Sequence, residues 1–308
     1  MSGLTLALDV GGTKIAVGLA DRSGALVHTA VRPTRGDQDA EQVWAVVAEL
    51  VDEALHTAGG AVDAVGIGSA GPIDVPAGTV SPVNIADWRG FPLRDRVAAV
   101  VPGVPVRLGG DGLCMALAEY RHGAGRDARF LLGMVVSTGV GGGLVLDGAP
   151  YFGRTGNAGH VGHVVVDYES GQKCRCGGRG CVEAIASGPA MVRWALANGW
   201  APPSGALGAD AKMLAEAVAA GDPVAGEAFR RGTAALAAMI ASVAAVCDLD
   251  LVVIGGGVAK SGGVLFDPLR AALVDHVGLT FLRSLRVVPA ELGGDAGLIG
   301  AARLARTL

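Results

Sequence analysis

The sequence predicts an α/β fold of two domains facing a shared cleft. Three observations carry that expectation. Apolar runs of strand length alternate with stretches of helical spacing along the chain. Asp9-Val10-Gly11-Gly12-Thr13 and Ser137-Thr138-Gly139-Val140-Gly141-Gly142 repeat one plan, an apolar strand, a glycine turn and a second strand, as duplicated domains would. A further strand, residues 250–254, runs into Gly255-Gly256-Gly257, and α/β folds bind ligands at the carboxyl ends of their strands.

The elements follow in order. Residues 4–10, 15–20 and 25–31 read as strands that open a hairpin-led sheet. Residues 38–56 place Val43, Val46, Val47, Leu50 and Leu55 on one helix face, with Asp39 as a cap and Gly59-Gly60 as a stop. Residues 64–69 form a buried strand ending at Ala70-Gly71-Pro72, and residues 71–92 a proline-rich loop. A strand at 104–108 precedes Asp111, a candidate cap for a helix over 112–121. Strands at 130–137 and 142–146 flank the second glycine turn, and residues 149–181 are mostly loop. Helices are expected at 183–198, 211–220, 222–247 and 297–307.

Composition bounds the function. The 308 residues suffice for a sizeable core, and 51% hydrophobic against 18% charged residues excludes a disordered chain. With 25 Lys and Arg against 29 Asp and Glu, the net charge is −4. A nucleic-acid binder would show a basic excess instead. The 50 glycines follow no Gly-X-Y period, so they serve turns or ligand loops, not collagen. The start lacks a basic segment and reaches Asp9 early, unlike a secretory signal. Of two uncharged stretches, residues 130–146 carry five glycines, and residues 232–247 fall short of the ~18–20 residues a membrane span needs. We expect a soluble cytoplasmic protein with no membrane or nucleic-acid partner.

The glycine turns suit an anion. Glycine lets the backbone approach closely, and turn N–H groups point at the charge. Thr13, Lys14 and Thr138 can add donors, and Asp9 could hold a phosphate-bound Mg²⁺ through water. An ordinary glycine hairpin is the plain alternative at each turn. Gly255, Gly256 and Gly257 would let a base or ribose approach, or would simply enter a helix. Asp111 is either a helix cap or a general base at a strand end. Glu183 is either a first-turn helix carboxylate or a ligand for hydroxyls.

Five cysteines, an odd number, argue against a disulfide framework. Cys174, Cys176 and Cys181 fall within eight residues, and His163 lies eleven residues before Cys174. Three thiolates and an imidazole make a closed, tetrahedral, structural Zn²⁺ site. In Gly159-His160-Val161-Gly162-His163 one of the two histidines should be a ligand, and the other would then stand near the metal loop, free to contact a substrate.

Asp9-x-Gly-Gly-Thr-Lys14, Thr138-Gly139-x-Gly141-Gly142, Gly162-His163 and the Cys-x-Cys-Gly-x-x-Gly-Cys-x-Glu run from Cys174 to Glu183 resemble the ROK family of repressors, open reading frames and sugar kinases. The resemblance extends from about residue 4 to the C-terminus, and the cysteine run is its most specific element. It implies two ribonuclease-H-like domains of the actin-like ATPase kind: residues 1–112, joined by helix 296–308, and residues 113–295. It implies ATP with Mg²⁺ on the two turns (Asp9, Gly11, Gly12, Thr13, Lys14; Thr138, Gly139, Gly141), and the adenosine near Gly255–Gly257. Asp111 would be the general base that takes the proton of a hexose 6-hydroxyl. Gly71, Asn84, Gly110, Asp111, His160, His163 and Glu183 would line the sugar; His163 would also ligate zinc. Glucose is the expected sugar and a homodimer or homotetramer the expected assembly.

Two positions depart from the family pattern. Gly110 stands where Asn is usual before the catalytic Asp, and His160 where Glu is usual. An N-acetylated or epimeric hexose, such as N-acetylmannosamine or N-acetylglucosamine, is therefore the second expectation, and a catalytically weak sugar sensor the third. Polyphosphate is an alternative donor. The family's repressors carry a helix-turn-helix before the phosphate motif; the early position of Asp9 points to the kinase branch.

Overall fold

The structure is a computed structural model and describes residues 3–34, 39–83, 85–169, 171–203 and 208–307. The first half runs β1 (Thr5–Val10), β2 (Lys14–Ala20), β3 (Leu26–Pro33), α1 (Ala40–Thr57), β4 (Ala64–Ser69), β5 (Ile73–Asp74), β6 (Thr79–Val80), α2 (Leu93–Val100), β7 (Val106–Gly110) and α3 (Asp111–His122). The second runs β8 (Phe130–Val136), β9 (Val140–Leu146), β10 (Ala149–Tyr151), α4 (Glu183–Ala186), α5 (Gly188–Ala197), α6 (Ala211–Ala219), α7 (Pro223–Cys247), β11 (Leu251–Gly255), α8 (Gly263–His276), β12 (Arg286–Pro289) and α9 (Ala296–Ala305).

Two mixed five-stranded sheets result, ordered β3-β2-β1-β4-β7 and β10-β9-β8-β11-β12. Each is an antiparallel meander extended by two parallel strands. The duplication expected from the glycine turns is thus a duplication of sheets. Asp39 caps α1 through a capping box with Gln42, which satisfies free N–H groups of the first turn. One face of α1 closes the first core through Val43, Val47 and Leu50. The second core lies between its sheet and α5 to α8.

A third core joins the halves around α3 and α9. Glycine makes this crossing possible. A Cβ at Gly300 of α9 would overlap the Cys114 carbonyl of α3, and one at Gly133 would lie 2.5 Å from the Ala116 Cα. Buried Glu119 locks the far end of α3: its carboxylate accepts from the N–H groups of Ala124 (2.9 Å) and Leu292 (2.8 Å).

Several elements differ from expectation. Strand β9 begins at Val140, two residues earlier than expected, so Gly141 lies inside the strand and not in the turn; Gly142 and Gly143 are in the strand as expected, and α3 packs directly on them. The helix expected over 183–198 breaks at Ser187, which turns extended ahead of Gly188-Pro189. Helices α2 and α8 and strand β12 were not expected; α2 is only eight residues long, and Pro268 lies inside α8. Among the described residues, only α7 is long and apolar enough to cross a membrane. Its Leu236, Met239 and Ile240 are buried in the second core.

Candidate active site

Strands β1, β4 and β7 run parallel, and their register aligns Val10 with Ser69 and Ser69 with Gly110. Their carboxyl ends bring the first glycine turn, Gly71 and the Gly110-Asp111 corner to one edge. In the second sheet Val135 aligns with Gly255. The Ser137–Gly139 turn therefore stands beside Gly256 and Gly257; a Cβ at Gly257 would lie 3.4 Å from Ser137 Oγ. The two edges meet. A Cβ at Gly112 would lie 2.5 Å from the Gly142 carbonyl oxygen, and one at Gly71 would lie 2.8 Å from His160 Nε2.

The first turn is tight. Gly11 N–H donates to the Lys14 carbonyl at 2.9 Å, and the Thr34 hydroxyl braces the Gly11 carbonyl at 3.1 Å. Thr13 and Lys14 are left exposed, as is Thr138 on the second turn. Asp9 is half-buried against Gly297 at the start of α9. Burial first, and then the Asp111 carboxylate, push its carboxyl up to about 6, with Lys14 pulling the other way.

Asp111 is not a helix cap. It is the first residue of α3, and Gly110, which has no side chain to cap with, holds the cap position. Asp111 Oδ1 accepts from the Gly112 N–H at 2.7 Å. Water reaches its side chain, yet protein surrounds it on most sides, and that burial raises its carboxyl. A carboxylate held at a cleft with its proton affinity raised suits general-base work.

His163, Cys174, Cys176 and Cys181 converge, with one donor atom from each lying within 4.8 Å of the others. Cys174 Sγ is 3.8 Å from His163 Nδ1, and the Cys176 and Cys181 sulfurs are 3.8 Å apart. A zinc ion ~2.3 Å from each sulfur would set them about 3.8 Å apart. The four side chains therefore fit zinc, and the sulfurs are too far apart for a disulfide. Burial pushes the Cys181 thiol up to about 12; a bound cation reverses such a shift by stabilising the thiolate.

The expected sugar residues divide. Gly71 and His160 face each other across the cleft, and burial lowers the His160 imidazole. The rings of His160 and His163 are 6.3 Å apart. Among the described residues nothing fills the space at Gly110: a Cβ there would meet none of them within 4 Å. Asn84 lies outside the described residues. Glu183 reaches the second turn, where its Oε2 accepts from the Val140 N–H at 2.9 Å.

Sequence reasoning missed Asn157. Its amide donates to the Ile73 carbonyl (2.6 Å) and accepts from the Ile73 N–H (3.0 Å), tying the His160 loop to the first half of the chain. Its place three residues before His160 was a signal; its partner, 84 residues away, was not legible.

A sequence profile of the ROK family matches residues 5–308. The chain belongs to the ROK family. The glucokinase of Thermotoga maritima is 36% identical over 310 residues, covering 97% of this chain and 96% of that one. The N-acetylmannosamine kinase of Yersinia pestis is 35% identical, covering 99% of each. Among solved structures, the ROK-family glucokinase of Streptomyces griseus in complex with glucose and AMPPNP superposes with a TM-score of 0.83 at 37% identity, covering 99% of each chain. The ROK frame accounts for the paired sheets, the two glycine turns and the His-Cys cluster together.

Proposed function

We propose that this ROK protein is a hexose kinase that transfers the γ-phosphoryl group of ATP to the 6-hydroxyl of glucose, with Asp111 as general base. The observation that carries the reading is the position of Asp111. Its helix starts against β9 at Gly142, and its carboxylate is close enough to Asp9 at the end of β1 to raise that group, which puts Asp111 where the two sheets meet. The Streptomyces griseus glucokinase, similar over its whole length and solved with glucose and AMPPNP, supports the pairing of sugar and nucleotide.

In this reading the exposed Thr13, Lys14 and Thr138 and the N–H groups of both turns hold the phosphates, and Gly255, Gly256 and Gly257 admit the adenosine. Asp9 would hold a water of the Mg²⁺ that travels with ATP and shields its charge. Asp111 takes the proton of the sugar hydroxyl as its oxygen forms a bond to the γ-phosphorus and the bridging bond to ADP breaks. Phosphoryl transfer asks for little covalent chemistry from a protein and much positioning. His163, Cys174, Cys176 and Cys181 would hold the zinc, which supplies structure and no open coordination position.

A kinase of an N-acetylated hexose is the second reading. The free space at Gly110 favours it, because a substituent larger than a hydroxyl fits there.

Purified protein is assayed for ADP formation against glucose, mannose, N-acetylmannosamine and N-acetylglucosamine, with Asp111→Asn as control. We expect glucose to give the highest kcat/KM and Asp111→Asn to lose about 10²–10⁴-fold. A higher kcat/KM for an N-acetylated sugar selects the second reading. Binding of sugar and nucleotide without turnover would overturn both.

A further inference from the structure

The second turn is held from behind. Among the hydrogen bonds of the described residues, the Val140 N–H donates to Glu183 Oε2 at 2.9 Å, and the Ser137 carbonyl accepts from the Gly188 N–H at 2.9 Å. The Val140 carbonyl is covered by Gly162, where any Cβ would overlap it. A side chain at Gly139 would lie 2.7 Å from Glu183 Oε2, so the turn closes directly on that carboxylate. Both gripping segments also carry the convergent cluster: Gly162 precedes His163, and Glu183 follows Cys181 by two residues. The other carboxylate oxygen, Oε1, is 3.9 Å from Cys174 Sγ.

We propose that Glu183 is a positioning residue for the second glycine turn: its Oε2 fixes the Val140 peptide, and with it the phosphate-facing geometry of Thr138 and Gly139. Nucleotide affinity is thereby tied to the cysteine loop, even with no sugar bound. The inference rests on the ATP-kinase reading. A hydrogen bond from a backbone N–H to a carboxylate oxygen fixes the peptide it comes from, and its loss frees a turn that must order again around each incoming phosphate.

The test is calorimetric titration of AMPPNP with Mg²⁺, in the absence of sugar, into wild type, Glu183→Ala and Glu183→Gln. Zinc content and amide hydrogen exchange are measured on the same samples. We expect Glu183→Ala to weaken AMPPNP about tenfold and to speed exchange at the Val140 amide, with the Leu144 amide further along β9 unchanged. Glu183→Gln keeps an acceptor oxygen and should stay within about threefold of wild type. If Glu183→Ala loses its zinc, Glu183→Met fills the same space without an acceptor and takes its place. Unchanged AMPPNP affinity and unchanged Val140 exchange, with only the sugar KM raised, would overturn the proposal and leave Glu183 a sugar contact. If wild type does not bind AMPPNP at all, the ATP reading fails first and takes this proposal with it.

Discussion

Replacing Asp9 with Asn should stabilise the fold at neutral pH while it removes activity. Burial and the Asp111 carboxylate raise the Asp9 carboxyl from 3.8 to about 6. A carboxyl that holds its proton more tightly in the folded state costs stability wherever it must ionise. The cost is absent below the unfolded value of 3.8, grows as pH rises, and is complete above about 6. That span corresponds to about 3 kcal/mol at roughly 1.4 kcal/mol per pH unit. Two effects reduce it. Gly297 sets Asp9 against the amino end of α9, whose dipole favours a negative charge by ~0.3–1 kcal/mol. Partial water contact at Asp9 screens part of the remainder, which leaves an expected gain of about 1–2 kcal/mol. Urea unfolding of wild type and Asp9→Asn at pH 4, 5.5 and 7.5 reads it. The two proteins should be nearly equal at pH 4 and diverge in favour of Asp9→Asn towards pH 7.5. An Asp9→Asn protein no more stable than wild type at pH 7.5, or a gap that ignores pH, would refute the reasoning.

Gly300→Ala should lower stability by about 1–3 kcal/mol or more, because the added methyl meets the Cys114 carbonyl and two helix backbones must separate; the melting temperature reads this. Cys176→Ser should bring zinc well below one ion per chain by elemental analysis, since one thiolate of four ligands is lost. Hexokinase activity should fall with the metal, and full activity without zinc would show that the cluster does not shape the cleft.

What the sequence disclosed follows from how local each signal is. Asp39 and Gln42 lie three residues apart, so the start of α1 could be read directly. The cysteine run was legible because three of four ligands fall within one turn of chain, and its donors do converge. The two glycine turns were legible as turns, but the point where the second gives way to its strand was placed two residues late, and the reason for the strand's glycines was not legible. Gly143 is glycine because the Leu113 backbone of α3 lies against it, a contact that no local pattern encodes. Glu183 was ambiguous for the same reason: its partner Val140 is 43 residues away. Helix α8 was hidden by Pro268, whose ring usually ends a helix and here sits within the first half of one.

The charges of the cleft carry one more consequence. After burial, the Asp111 carboxylate disfavours a negative charge on Asp9, and Lys14 is the cation that opposes it there. A free triphosphate approaching this pair would meet two carboxylates with one lysine in opposition, which disfavours binding by like-charge repulsion. In the proposed reading a divalent cation would reverse that balance, neutralising the phosphates and turning Asp9 from a repelling group into an attracting one. The same burial that costs stability in the free protein would then strengthen the pairing in such a complex, because a charge pair is screened less where water is sparse. On that reading Asp9 is unfavourable to the empty fold for the reason that would suit it to a metal–nucleotide, and Asp9→Asn should separate the two effects by moving stability and nucleotide affinity in opposite directions.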